Sequence, residues 1–412
     1  MVQIVYDVTS TARKDAPAIG APGRPWLDYG SLKKLVDTTL AALNGVGIGR
    51  EDRVAIVLPN GPEMAAAFIA VASGCSAAPL DPDAAADILK RQLRDLGPKA
   101  VIVQKGIEGP VRAVAKKMDL PLLELLPVAS GPAGEFTLDV SALGPAKAIK
   151  SGPSRGPEIA LLLHTSGTTG RPKLVPLSGA NLAASARHIG GSLALSPKDR
   201  CLNVMPLSHV HGLVASVLSS LASGASVSCM PGFDAVSFFA WLYEVKPTWY
   251  TAVPQMHQAI LARIGRSTDI AKGVNLRLIR SSASSLPPQI LTALESAFGC
   301  PVIESYGMTE AGHQMASNSL PPGKRKPGAV GLPAGPKVAI MDEDGNFLPQ
   351  GAVGEVVVQG PNVTSGYAND PDANLKAFDE EGWFRTGDQG RFDEDGFLFL
   401  TGRLSHVLDR AS

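Results

Sequence analysis

Two textures of apolar and polar positions alternate along most of the chain: short β-branched runs, and longer Ala- and Leu-rich stretches of helical character. DRVAIVLP at 52–59 predicts a buried strand, EMAAAFIAVASG at 63–74 a helix stopped at glycine, and KAVIVQ at 99–104 the next strand. From about Asn181 to Ser305 the pattern returns, with RCLNVMP, ASVSCMP, PTWYTAVP and LRLIRSS as strands and QILTALESAFG among the helices. Strands that alternate with helices build parallel sheets covered on both faces. From Gly331 the texture changes to short alternating runs around D-G turns, KVAIMDEDGNFLPQGAVGEVVVQG and then RFDEDGFLFLTG, which predict hairpins of a small β-barrel or distorted sheet. The expected fold class is therefore α/β. Two α/β subdomains with mostly parallel sheets, at 1–180 and 181–330, are followed by a small distorted β-barrel at 331–400.

Composition narrows the setting. A chain of 412 residues can bury a large core, and 45% hydrophobic with 18% charged residues is too apolar for a disordered chain and too evenly mixed for a membrane protein. The 38 basic and 38 acidic residues cancel, so no overall positive field points to nucleic acid or anionic lipid, and an anionic ligand needs a local site. Cys75, Cys201, Cys229 and Cys300 lack CxxC spacing, which argues for reduced, buried thiols rather than zinc or disulfides. No signal core follows the start MVQIVYDVTSTARKDAP, and a cytosolic location without a membrane partner is expected.

The candidate chemistry centres on HTSGTTGRPK at 164–173, just after the apolar run ALLL. Pro172 and the lack of a Ser or Thr after Lys173 separate it from the G-x-x-x-x-G-K-[ST] phosphate loop. Its physics is nonetheless similar. Gly167 and Gly170 let backbone amides turn inward, Thr165, Ser166, Thr168 and Thr169 supply hydroxyls, and Lys173 adds charge at the exit. By composition alone a polyphosphate cradle and a flexible linker are equally open.

The order of other motifs separates these two. HTSGTTGRPKLVPLS resembles the phosphate-loop signature of the adenylate-forming superfamily, which includes acyl-CoA synthetases, nonribosomal adenylation domains and luciferases. PLSHVHGL at 206–213 resembles the segment lining the acyl pocket, and LIRSSASSLP at 278–287 the strand and turn bordering adenine. ESYGMTE at 304–310 resembles the aromatic, Thr and Glu signature, GWFRTGD at 382–388 the ribose-binding segment, and LTGR at 400–403 the start of the hinge before a smaller C-terminal domain.

The resemblance implies a reaction in which a carboxylate attacks the α-phosphorus of ATP to give acyl-AMP, followed by thioester formation with coenzyme A. It implies that Lys173, His209, Thr309 and Glu310 are catalytic, with Glu310 holding Mg²⁺. It also implies an ATP site of the phosphate loop together with Ser282, Ala283, Ser284, Glu304, Ser305, Tyr306, Gly307, Met308, Thr309, Asp388 and Arg403. The residue types suit these roles: Tyr306 offers a flat face for adenine, Glu310 a hard oxygen for a divalent cation, and Asp388 an acceptor for ribose hydroxyls.

Polar residues after T-E set the choice of acid. The run from Glu304 to Gly331, with His313, Gln314 and the later K-P-G-x-V-G, resembles the oxalyl-CoA synthetases of plants and fungi. Oxalate is a small dianion whose distal carboxylate needs buried donors, and His211, Ser281, Ser282 and His313 are the candidates. Arg280 could pair with the distal carboxylate of malonate, so a ligase for malonate or for another short, medium-chain or aryl acid stays open. A nucleotide-binding module with little turnover stays open as well, because GRLSHVLDRAS stops at Ser412, leaving 401–412 as a hinge start with the small C-terminal domain absent.

Overall fold

The computed structural model of the chain describes residues 3–165, 172–265 and 273–404. Three sheets organise it. The first runs Phe136–Asp139, Leu122–Pro127, Ala100–Gln104, Arg53–Val57, Ser76–Pro79, Ile159–His164, Leu174–Ser178 from edge to edge. Its interior pairs are parallel, and an antiparallel pair closes each edge. The predicted strands at 52–59 and 99–104 and the helix at 63–74 lie at Arg53–Val57, Ala100–Gln104 and Pro62–Ala72. That helix is buried on nearly every side, because it lies between the first two sheets and touches strands of both. Its apolar residues all round its circumference are what such a position demands.

The second sheet has nine strands, in the order Leu332–Pro333, His313–Ser317, Val302–Met308, Leu278–Ser281, Trp249–Ala252, Arg200–Asn203, Ser226–Cys229, Pro17–Gly20, Leu27–Asp28. Two of these come from the N-terminal stretch expected in the first subdomain: Ile19 and Gly20 pair in parallel with Val227 and Ser228. Four- and two-residue strands flanked by Pro and Gly carry too little periodicity to reveal such a crossing. The carboxyl ends of the parallel strands, at Asn203, Ala252 and Ser281, open toward the candidate site, the usual place for a ligand crevice in an α/β sheet.

The third sheet is four-stranded and antiparallel: Lys337–Met341, Gly354–Gln359, Phe384–Phe392, Leu398–Arg403. It occupies the region expected to form a small β-barrel or distorted sheet, and Gly345 and Gly396 sit at φ of 87° and 80° in its predicted D-G turns. All four cysteines are buried and free, and burial pushes the thiol pKa of Cys75, Cys201 and Cys300 up to about 12. No helix among the described residues is long and apolar enough to cross a membrane.

Candidate functional site

The segment 164–173 joins the antiparallel strands Ile159–His164 and Leu174–Ser178. Its neck is closed twice: the Thr165 amide donates to the Lys173 carbonyl at 2.9 Å, and the Lys173 amide to Thr165 Oγ1 at 3.0 Å. Ser166, Gly167, Thr168, Thr169 and Gly170 lie outside the described residues. Lys173 emerges half-buried at the exit, its Nζ 4.5 Å from the centroid of the Tyr367 ring.

ESYGMTE forms the strand Val302–Met308 and a single 3-10 turn, Thr309–Ala311, after which the chain doubles back as His313–Ser317. The turn demands glycine at 307, where a Cβ would lie 1.8 Å from the His313 carbonyl oxygen. His313 itself has φ of 114°, a region a non-glycine residue occupies only when its surroundings hold it there. The turn buries Glu310, and burial raises its pKa. The Tyr367 hydroxyl, which donates to Glu310 Oε1 at 2.9 Å, opposes that rise, as do Lys173 and Arg403. One oxygen is taken by the phenol and lone pairs remain, a donor set suited to a hard divalent cation. Thr309 is half-buried beside it, and the Met308 backbone leads into the turn.

Tyr306, Asp388 and Arg403, drawn from two different sheets, meet in one group. The Tyr306 hydroxyl donates to Asp388 Oδ2 at 2.5 Å and Arg403 Nε to Oδ1 at 2.8 Å. Burial, reinforced by the Asp388 charge, raises the Tyr306 phenol well above 10, so it remains a donor. Each Asp388 oxygen keeps a lone pair with which to accept a further hydroxyl. Glu304, one side chain back on the same face of the strand, borders a cavity of about 100 Å³ with Asn318, Arg325 and Lys326, and burial raises its carboxyl to about 7.

A second group lies deeper. Arg280, fully buried, donates from Nη2 to His313 Nδ1 and Gln314 Oε1, both at 3.3 Å. Arginine offers no acceptor, so the bond makes His313 Nδ1 the unprotonated nitrogen and leaves the proton on Nε2. His211 stands with its ring centroid 4.9 Å from that of His313 and its Nε2 2.6 Å from Thr251 Oγ1. Burial, with the Arg280 charge as second cause, holds both imidazoles well below 6.5 and thus neutral at pH 7. Among the described residues no carboxylate pairs with Arg280, and Arg280 Nε and Nη1, His211 Nδ1 and Ser281 Oγ have no protein partner. Burial lowers the guanidinium to about 9, which leaves it charged at pH 7.

The remaining expected residues divide. Ser282 donates its hydroxyl to the Ser305 carbonyl at 3.0 Å, and Ser305 donates to the Ser281 carbonyl at 3.3 Å, which ties the two strand ends together. Ala283 and Ser284 are exposed in the turn, Ala283 at φ of 75°. His209 is exposed, whereas His211 begins a π-helix, His211–Leu218. A π-helix is rare and recurs at functional sites, and Gly212 permits this one, since a Cβ there would meet the Pro206 carbonyl at 2.3 Å. Tyr367 and Thr251 escaped the sequence reading. PTWYTAVP is expected only as a strand and no expectation falls on Tyr367, and only the third dimension brings the two residues to Glu310 and His211.

The model of a protein family described as AMP-binding enzyme matches residues 7–368. A protein named probable CoA ligase CCL9, from Humulus lupulus, is 42% identical over 96% of this chain and 76% of its own length. An oxalate–CoA ligase from Arabidopsis thaliana is 40% identical over 96% of this chain and 77% of its own. Among solved structures, ATP-bound MatB from Rhodopseudomonas palustris superposes with a TM-score of 0.85 at 28% identity, covering 98% of this chain and 79% of that one.

Proposed function

The chain belongs to the AMP-binding enzyme family and is an ATP-dependent, AMP-forming acid–CoA ligase, and we propose that the acid it activates is oxalate. One observation carries the reading: among the described residues Arg280 is buried without a carboxylate partner, beside two neutral histidines whose ring centroids lie 4.9 Å apart. A buried guanidinium that no acidic side chain satisfies is costly in the free protein, and a small anion would relieve that cost. A fatty acyl chain would leave these groups unpaired.

In this reading the distal carboxylate of oxalate accepts from Arg280, His313 Nε2 and His211, which fixes the proximal carboxylate toward the nucleotide. Tyr306 stacks on adenine, Asp388 and Arg403 hold the ribose, and Thr309 and Lys173 address the phosphates. A proximal oxygen then attacks the α-phosphorus, an O–P bond forms, and the α–β bridging bond breaks with its electron pair leaving on pyrophosphate. The thiolate of coenzyme A next attacks the acyl carbon, and AMP departs with the electron pair of the C–O bond. Mg²⁺, when bound at Glu310, neutralises charge on the phosphates. Two unit anions 4 Å apart repel by roughly 4 kcal/mol at an effective dielectric near 20, which is why cations and donors outnumber side-chain nucleophiles in such a site.

Incubation with ATP, Mg²⁺, coenzyme A and a panel of oxalate, malonate and octanoate, read by pyrophosphate and thioester formation, tests the reading. Oxalyl-CoA is expected in excess over the other thioesters. Preferential use of octanoate would sink the proposal, and ATP binding without turnover of any acid would favour a nucleotide-binding module.

A further inference from the structure

Taking Lys173 as the phosphate-facing cation and Glu310 as the metal-holding carboxylate, a reading this inference rests on, we propose that Tyr367 is a positioning residue that holds the two charges apart and aims each at the nucleotide. Lys173 is near enough to act on the Glu310 charge, and a lysine and glutamate that paired would serve neither phosphate nor metal. Lys173 and Glu310 make no ion pair; the Tyr367 side chain contacts both instead. Its ring face takes the ammonium, 4.5 Å from the centroid, and its hydroxyl donates to Glu310 Oε1 at 2.9 Å. The carboxylate is thereby oriented through Oε1 while lone pairs remain for a cation, the arrangement by which outer hydrogen bonds tune a ligand.

Tyr367 is held on every side. Its amide donates to Asn374 Oδ1 at 2.6 Å, and Asn374 Nδ2 returns a bond to its carbonyl at 3.0 Å. The next amide, of Ala368, donates to the Leu174 carbonyl at 2.8 Å, directly after Lys173. The Thr364 amide donates to the Glu310 carbonyl at 2.7 Å. One short segment is thus bonded to both backbones whose side chains it contacts, and the Phe384 ring packs at 66° to that of Tyr367. Packing alone requires the ring and not the hydroxyl, which gives the test its contrast.

Mn²⁺ binding to the ATP-loaded chain, without acid or coenzyme A, is measured by the paramagnetic resonance of free Mn²⁺, alongside metal-free ATP binding in EDTA. Tyr367→Phe keeps the ring and is expected to weaken Mn²⁺ about tenfold or more, with metal-free ATP affinity unchanged. Tyr367→Leu lets Lys173 reach Glu310 and is expected to weaken both. Wild-type Mn²⁺ affinity in Tyr367→Phe, with Glu310→Gln impaired, overturns the proposal and leaves Tyr367 a packing residue. Wild-type Mn²⁺ affinity in Glu310→Gln overturns the underlying reading and the proposal with it. Because Tyr367→Phe conserves the fold, the decision stands even if Tyr367→Leu does not fold.

Discussion

Arg280 and His313 meet at 3.3 Å, Nη2 to Nδ1, in a fully buried place where no carboxylate balances the guanidinium among the described residues. On the proposed function the pair trades stability for recognition: a cation without a counterion disfavours the free fold, and the same cation is what an anionic substrate needs.

Arg280→Met should therefore act in opposite directions on stability and on binding. Replacing a buried, unpaired charge with an apolar side chain of similar length should stabilise the ligand-free chain by about 1–4 kcal/mol. Oxalate affinity should fall by roughly 10–100-fold, the worth of a hydrogen bond to a charged group, with ATP affinity retained. Chemical denaturation and acid titration read the two effects, and a destabilised variant with normal oxalate affinity would falsify the assignment.

Acid should destabilise the chain earlier than carboxylate titration accounts for. His211, His257 and His313 are buried and depressed, His257 to about 4. The unfolded chain binds their protons at 6.5 while the folded chain does not, so stability is full above pH 6.5 and declines as pH falls below it. Each histidine contributes a slope of about 1.4 kcal/mol per pH unit once its unfolded form is protonated. Urea midpoints between pH 7 and 5 test this, with His257→Gln expected to flatten the curve. An unchanged slope in that variant counts against the burial argument.

Glu304 carries the opposite sign. Its carboxyl is raised to about 7 by burial, so its neutral form is favoured in the fold. That contribution is complete below 4.5 and lost as pH rises through 7. Glu304→Gln should remove the loss, giving a variant more stable than wild type at pH 8 and little changed at pH 5. Thermal midpoints at the two pH values decide, and equal shifts at both would contradict the assignment.

Gly307→Ala should disable the turn that sets both Glu310 and His313. The added Cβ would meet backbone, the His313 carbonyl, at 1.8 Å, with no flexible side chain able to yield. Destabilisation near or above the upper end of the about 1–3 kcal/mol typical of overpacking is expected. Retention of wild-type stability in a melting experiment would show that the hairpin relaxes.

Much of this arrangement was legible along the chain. Strands such as Arg53–Val57 and Trp249–Ala252 are continuous apolar runs, and buried parallel strands read that way. Ordered motifs placed Tyr306, Glu310, Asp388 and Arg403, and the structure joins Tyr306, Asp388 and Arg403 in one group. What escaped depends on distance in sequence. Tyr367 reaches Glu310 across 57 residues, and Thr251 reaches His211 across 40, through contacts that no local periodicity encodes. The π-helix was hidden for a different reason, since HGLVASVL is as compatible with an α-helical turn until Gly212 is seen against the Pro206 carbonyl.

On the proposed function, a small dianion completes the Arg280 cluster. Calorimetric titration of the chain saturated with α,β-methylene-ATP, which cannot transfer its adenylyl group, measures this without turnover. Saturable binding of oxalate is expected, weakened roughly 10–100-fold in Arg280→Met, with no binding of octanoate. Octanoate binding as tightly as oxalate, or oxalate binding equally well without Arg280, would contradict this reading.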